Sequence, residues 1–315
     1  MGILSKPEVV ILKETCDSKE YLSKLKELRA KVQDSSAIAE KIDKEIAVTE
    51  AGIYGEDSIL FELKNSGLDL VVIRDLFIKA EDGRSAQIDY FVKTPYGNVL
   101  IECKNLFGNI EINNRGDFIR SFEYKGRYYK EGIYSPITQN ERHLDVYKDC
   151  WANNKNLVTK LIVGHYFYDY NKTIVVLANP KTVVNDKYAK KEVKEKVIRV
   201  DQLINYLKNF KTDSKNNLKA MRESGERILA MNIDDRDSYS KRYDELEAEA
   251  KQYLKEPEVI PVSKTNENAP ICPRCGGKLL LRTAKKGGNV GNQFYGCSNY
   301  PKCRYIQNLE KSLAN

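Results

Sequence analysis

Gln87-Ile88-Asp89-Tyr90-Phe91-Val92-Lys93, the tetrapeptide Thr94-Pro95-Tyr96-Gly97 and Asn98-Val99-Leu100-Ile101-Glu102-Cys103-Lys104 form two β-type runs around a turn. β-branched and aromatic residues fill both runs, and Pro and Gly take favoured turn positions between them. Side chains two apart on a strand share a face, so Glu102 and Lys104 point one way while Val99, Ile101 and Cys103 point the other. Placing Ile88, Tyr90 and Val92 on that second, apolar face sets Lys93 opposite Asn98. The same register sets Asp89 across from Glu102, so two carboxylates and an ammonium converge on one face.

Two facing carboxylates are costly unless a cation compensates them. Hard oxygen donors suit Mg²⁺ or Mn²⁺, with Asp89 and Glu102 as ligands and substrate phosphate completing the shell. Such an ion polarises a phosphodiester and activates a water, while Lys104 orients that water or meets developing charge. The chemistry expected of this pattern is phosphodiester hydrolysis. The spacing D-x₁₂-E-x-K also describes a surface hairpin carrying a salt bridge.

Further short runs flank the hairpin: LVVIRDLFI (70–78), NIEI (109–112), DFIRSF (117–122) and TIVVLAN (173–179), with helical text at 135–153 and in DQLINYLKNF (201–210). The fold class is α/β, a mixed sheet flanked by helices. Residues 18–52 carry Tyr21, Leu22, Leu25, Leu28 and Val32 near helical spacing, so residues 1–50 read as a helical N-terminal arm. The α/β domain spans 51–212, a helical spacer 213–254 and a proline-bearing linker 255–270. Lys125, Arg127, Tyr128, Tyr129 and Lys130 make a basic, aromatic stretch that reads as a solvated loop or the wall of a nucleic-acid groove.

Residues 271–308 are a separate small module. Cys272 and Cys275 form a C-x₂-C pair, Cys297 and Cys303 a C-x₅-C pair, and 21 residues separate the two. This spacing suits tetrahedral ligation of a structural Zn²⁺, and Gly276-Gly277 supplies the tight backbone of a metal knuckle. From Ile271 onward eight Lys or Arg face the single acid Glu310, so this tail carries the whole net charge of +7. Its cations Arg282, Lys285, Lys286 and Arg304 stand beside Phe294, Tyr295 and Tyr300, a combination suited to stacking on unpaired bases.

The tail resembles the C-terminal zinc-ribbon repeat of bacterial type IA topoisomerases, through Cys-Pro-x-Cys-Gly at 272–276, Phe-x-Gly-Cys at 294–297 and Tyr-Pro-x-Cys at 300–303. That resemblance implies binding to DNA, including single-stranded DNA. Gly55-Glu56, Asp89, Glu102-Cys103-Lys104 and Pro136-x-x-Gln139-Asn140 together resemble the nuclease-related domain (NERD) family of the restriction-endonuclease-like PD-(D/E)xK nucleases. The resemblance covers roughly residues 51–210 and implies a magnesium-dependent deoxyribonuclease. It gives Glu56 to the acidic cluster, Asp89 and Glu102 to the metal, with the Cys103 carbonyl as a further ligand. Lys104 becomes the catalytic lysine, and Gln139 places phosphate or Lys104. His143 follows one helical turn after Gln139, either reaching the site or standing as a surface histidine. Ile88 stands where the superfamily's motif name has proline.

No apolar run approaches the roughly 20 residues a membrane span requires, and a secretory leader is not evident, so a cytoplasmic protein without a membrane partner is expected. Cys16, Cys103 and Cys150 show no pairing pattern, which favours metal chemistry over a disulfide framework. Two alternatives remain open on these residues: a non-cleaving DNA-binding or adaptor protein, and an RNA substrate.

Overall fold

The computed structural model describes residues 6–34, 36–153, 164, 166–234, 237–254, 270–284 and 292–308. The fold is α/β. A six-stranded mixed sheet has the order β1-β2-β3-β4-β8-β10, built from β1 (Val9–Lys13), β2 (Leu70–Lys79), β3 (Ser85–Thr94), β4 (Gly97–Lys104), β8 (Asn171–Leu177) and β10 (Val197–Arg199). Strands β2, β3 and β4 form an antiparallel meander, and β1, β8 and β10 add in parallel at its two sides. The β3–β4 pairing places Lys93 opposite Asn98 and Tyr90 opposite Ile101, as alternation and turn length require.

Both faces of the sheet are covered. On one face Leu70, Val72, Tyr90, Val92, Val99 and Ile101 pack against Ile59, Leu60 and Leu63 of α2 (Ala37–Lys64) and against Leu203 and Leu207. On the other, Ile73, Phe91 and Leu100 meet Leu144 and Tyr147 of α3 (Pro136–Asn153) and Ile228 of a helix spanning Leu218–Leu229. A second sheet, ordered β7-β6-β5-β9, follows β4 in the chain and comprises β5 (Asn109–Ile112), β6 (Phe118–Tyr124), β7 (Arg127–Ile133) and β9 (Val184–Asn185). The basic stretch 125–130 is therefore the turn and second strand of a hairpin, not a loop.

The N-terminal segment differs from a purely helical arm. Val9–Lys13 pairs with β2 as the edge strand of the main sheet, and α2 runs unbroken through residue 50. The first half of α2 packs Ile38, Ala39 and Ile42 with Tyr21, Leu25 and Leu28 of α1 (Asp17–Lys31) and with Leu246 and Ala250. Its second half lies on the sheet, so one helix belongs to two apolar clusters. The Leu218–Leu229 helix also lies on the sheet: a Cβ at Gly225 would approach Leu12 and Val71 side chains to 2.9 Å. Arm and spacer thus fold onto the central domain, and residues 1–254 form one compact unit.

Residues 255–315 form the other unit, described by itself. Its three-stranded antiparallel sheet joins β11 (Leu279–Thr283), β12 (Gln293–Cys297) and β13 (Ile306–Asn308). Linker residues 255–269, together with Lys285 and Lys286, lie outside the described residues. Among the described residues, no helix is long and apolar enough to cross a membrane.

Candidate functional site

The β3–β4 ladder ends at Tyr90–Ile101, one pair before the acids, while β4 continues against β8 as far as Lys104. Asp89 is therefore not a ladder partner of Glu102. Its Oδ2 instead accepts the Cys103 N–H at 2.7 Å, so a side chain serves a backbone donor where the strands part. β2 is irregular at the same level: Asp75 has φ 56°, and the β2–β3 pairing skips from Arg74–Tyr90 to Leu76–Ile88. Asp is among the few residues that tolerate this left-handed region, and here the Asp17 N–H (3.1 Å) and the Gln87 amide (3.0 Å) hold its carboxylate.

The kink exchanges the faces of both strands. Val72, Tyr90 and Val92 face α2, whereas Leu76, Ile78 and Ile88 join Phe91 and Leu100 on the α3 side. Ile88 is thus on the face opposite Tyr90 and Val92, contrary to simple alternation. A site at this break is open to helices from both faces.

Glu56 arrives from α2. Gly55, one residue before it, makes the approach possible: a Cβ there would lie 2.7 Å from Asn105 Cβ and 3.1 Å from Cys103 Sγ. The Asn105 amide donates to the Ala51 carbonyl at 2.7 Å, and the Tyr90 hydroxyl donates to the Glu56 carbonyl at 2.8 Å. Fully buried Arg74 donates to Glu56 Oε2 from Nε (3.1 Å) and Nη2 (2.9 Å), and to Asp57 Oδ1 from Nη1 (2.6 Å).

Gln139 and His143 arrive from α3, whose first position is Pro136, a residue suited to a helix start. Lys104 Nζ donates to Glu102 Oε1 at 2.6 Å and to Gln139 Oε1 at 3.2 Å. His143 Nδ1 lies 3.6 Å from Glu102 Oε2, too far for a hydrogen bond. Buried Asn140 anchors the helix by donating to the Leu100 and Ile174 carbonyls at 3.1 and 2.9 Å.

The carboxyls resist ionisation. Burial, then the charge of Asp89, pushes Glu56 up to about 7 despite Arg74. Burial, then Glu102, pushes Asp89 up to about 8, and burial also raises Glu102. Burial works against the Lys104 charge, but attraction to Glu102 outweighs it and raises the ammonium above its ordinary value. Burial, followed by the Lys104 charge, takes His143 down to about 4, so its imidazole is neutral at neutral pH. Buried oxygen donors that resist their own negative charge are of the chemical type that suits a divalent cation.

In the small module, Cys272, Cys275, Cys297 and Cys303 place their sulfurs within 4.8 Å of one another. Cys272–Cys303 and Cys275–Cys297 are 3.8 and 3.3 Å apart, near the ~3.8 Å edge of a tetrahedron with Zn–S bonds of about 2.3 Å. Gly276 has φ 72°, and the Gly277 N–H, with the partner sulfurs, pulls the Cys275 thiol down to about 6. The four cysteines fit a structural Zn²⁺. Tyr295 packs against them, while Tyr300 is exposed with the Arg282 guanidinium 6.0 Å from its ring centre. Phe294 sits opposite Arg282 in the β11–β12 pairing, and Arg304 is exposed.

Residues 51–177 match the family model described as nuclease-related domain. Residues 269–312 match the topoisomerase DNA binding C4 zinc finger. DNA topoisomerase 1 of Methanocaldococcus jannaschii is 52% identical over 48 residues, 15% of this chain and 6% of that protein. DNA topoisomerase 1 of Helicobacter pylori strain J99 is 31% identical over 77 residues, 24% of this chain and 9% of that protein. The uncharacterized protein YrdD of Escherichia coli is 42% identical over 48 residues, 15% of this chain and 24% of that protein. The chain thus spans less than a quarter of the length of these relatives, and no solved structure matches it significantly.

Within residues 51–177 the structure brings together Glu56, Asp89, Glu102, Lys104 and Gln139, with His143 at their edge. Sequence reading missed Arg74 and Asp75, and named Gly55 without the close packing it permits. The signal for Arg74-Asp75 was present, because two charges interrupt the apolar run LVVIRDLFI where a plain strand would carry core residues.

Proposed function

We propose that the protein is a metal-dependent nuclease that hydrolyses DNA phosphodiester bonds, with the zinc ribbon holding the same chain on nucleic acid. The observation that carries this reading is the break between β3 and β4, where Asp89, Glu102 and Lys104 meet Glu56 from one helix and Gln139 from another. A divalent cation on Asp89 and Glu102 would supply Lewis-acid activation of the phosphodiester and of the attacking water. Lys104, oriented by Glu102 and Gln139, donates toward a phosphate oxygen. Glu56, oriented by Arg74 and poised at about 7, is suited to accept the proton that the water releases. Neutral His143 has no proton to spare as an acid at that pH. A DNA-binding ribbon on the same chain raises the local concentration of substrate, which supports its pairing with this domain.

One observation favours a second reading, a non-cleaving DNA-binding or adaptor protein. Buried Arg74 already compensates Glu56, and Lys104 already compensates Glu102, so part of the acidic charge has internal partners. Cleavage of labelled single-stranded DNA, duplex DNA and RNA in Mg²⁺ or Mn²⁺ separates the two. For the nuclease, Asp89→Asn and Lys104→Ala variants of unchanged circular dichroism lose activity by about 100-fold or more while still binding DNA. Wild-type binding without metal-dependent cleavage would establish the adaptor instead.

A further inference from the structure

The hairpin of β6 and β7 carries an aromatic stripe that the catalytic reading does not use. Alternation and pairing place Phe118, Arg120, Phe122 and Tyr124 on one face with Ile133, Glu131, Tyr129 and Arg127. At the base of this face Phe118 and Ile133 pack with Ile110, Ile112, Val175 and Leu177, so the face turns toward the body of the domain. Further out it leaves the core. There Phe122 and Tyr129 stack at 5.1 Å with an interplanar angle of 14°, and Phe107 meets Phe122 edge-on at 5.9 Å. Tyr129 is 40%, Tyr124 54% and Phe107 60% exposed, a large apolar area to leave in water.

The stripe starts beside the acidic break. Phe107 follows Lys104 by three residues, at most about 11 Å of chain, or roughly three nucleotides of stacked strand. The intervening segment is pinned on two sides, by Asn105 to the Ala51 carbonyl and by Asn179 and Thr182 to the Leu106 carbonyl. Gly108 then lets the chain press against β6: a Cβ there would lie 2.4 Å from the Ser121 carbonyl oxygen and 2.7 Å from Phe122 Cβ. At the far end lies a two-residue turn with φ 50° at Lys125 and 71° at Gly126, where the Lys125 ammonium sits 5.4 Å from the Tyr124 ring centre and Arg127 follows. Neither Lys125 nor Arg127 has a carboxylate partner among the described residues, whereas Arg120 and Lys130 are paired with Glu131 and Glu111.

We infer that this stripe is a binding surface for an unpaired stretch of the DNA substrate, with bases stacking on Phe107 and Tyr129 and phosphates meeting Lys125 and Arg127. Stacking on aromatic faces with flanking cations is how strands are held without sequence readout, and paired bases offer no open faces to it. The inference rests on the nuclease reading for its role in cleavage, but its binding test does not.

The experiment uses the full chain carrying Asp89→Asn, so that no substrate is consumed, and a single-stranded oligonucleotide containing 5-iododeoxyuridine. Photocrosslinks mapped to Phe107, Tyr124 or Tyr129 are expected. A Phe107→Ala/Tyr129→Ala variant, altered at exposed positions, is expected to weaken single-strand affinity about tenfold and duplex affinity much less. In the cleaving wild-type background the same pair raises KM and leaves kcat nearly unchanged. Crosslinks confined to the ribbon, or equal loss on single strand and duplex, would overturn the inference. Hairpin crosslinks in a protein whose wild type cuts nothing would sink the nuclease reading and leave the surface standing.

Discussion

The charge on Asp89 is where the chemistry of single residues is most exposed to test. Its carboxyl, at about 8, and that of Glu56, at about 7, hold protons that an unfolded chain releases near pH 4. Their folded values are raised, so the stability they contribute is fully present below pH 4 and is lost as pH climbs to about 8. Metal-free protein should therefore lose about 2 kcal/mol or more between pH 5 and pH 8 on their account. A divalent cation selects the ionised form, so Mn²⁺ should raise Tm strongly at pH 8 and little at pH 5. Differential scanning fluorimetry across that range checks both signs. Asp89→Asn keeps an acceptor for the Cys103 N–H and should flatten the pH slope and the Mn²⁺ response together. The identities of Asp89, Glu102 and Lys104 were legible in the sequence because spacing on strands governs them. Arg74 showed only as a charge interrupting an apolar run, since nothing local says that it turns inward to meet a helix.

Among the elements, α2 decides whether Glu56 reaches the site. Its two helical glycines, Gly52 and Gly55, separate propensity from packing. A Cβ at Gly52 meets nothing within 4 Å, so Gly52→Ala should stabilise the fold by about 0.5–1 kcal/mol through reduced chain entropy. A Cβ at Gly55 meets Asn105 Cβ at 2.7 Å, an atom fixed to the backbone that cannot swing away. The steric term outweighs the propensity gain, and Gly55→Ala should destabilise by about 1–3 kcal/mol. Urea denaturation of both variants measures the contrast, and a blunted Mn²⁺ response in Gly55→Ala would show that Glu56 moved with the helix. Element boundaries were mostly readable, and the β3–β4 register followed from turn length and alternation. The edge strand Val9–Lys13 was not, because five residues become a strand only when β2 offers them a partner.

At the scale of the whole molecule, two units rest on different physics. Residues 1–254 bury an extensive apolar core on both faces of a sheet, while the ribbon's small core is Leu279 and its cysteines, with Tyr295 and Tyr305 against them. Structural zinc supplies about 10–16 kcal/mol of apparent binding energy in modules of this kind, so metal removal should unfold the ribbon alone. Chelation is expected to release one zinc per chain, collapse the amide signals of 270–284 and 292–308 in a two-dimensional NMR spectrum, and leave the melting of the larger unit unchanged. Loss of both units on chelation would refute this division.

The zinc ligands could be read by themselves because two cysteine pairs at knuckle spacing, with Gly276 at φ 72°, close a metal site through short-range geometry. Asp89, Glu102 and Lys104 followed from period-two alternation for the same reason, while Glu56 and Gln139 rested on the family resemblance. Only the tertiary structure decided how the cluster assembles. Strands β2 and β3 kink together at Asp75 and Asp89, the ladder to β4 ends one pair early, and helices from opposite faces of the sheet deliver Glu56 and Gln139 into the gap. Those events depend on which distant segments pack together, and backbone periodicity carries no information about that.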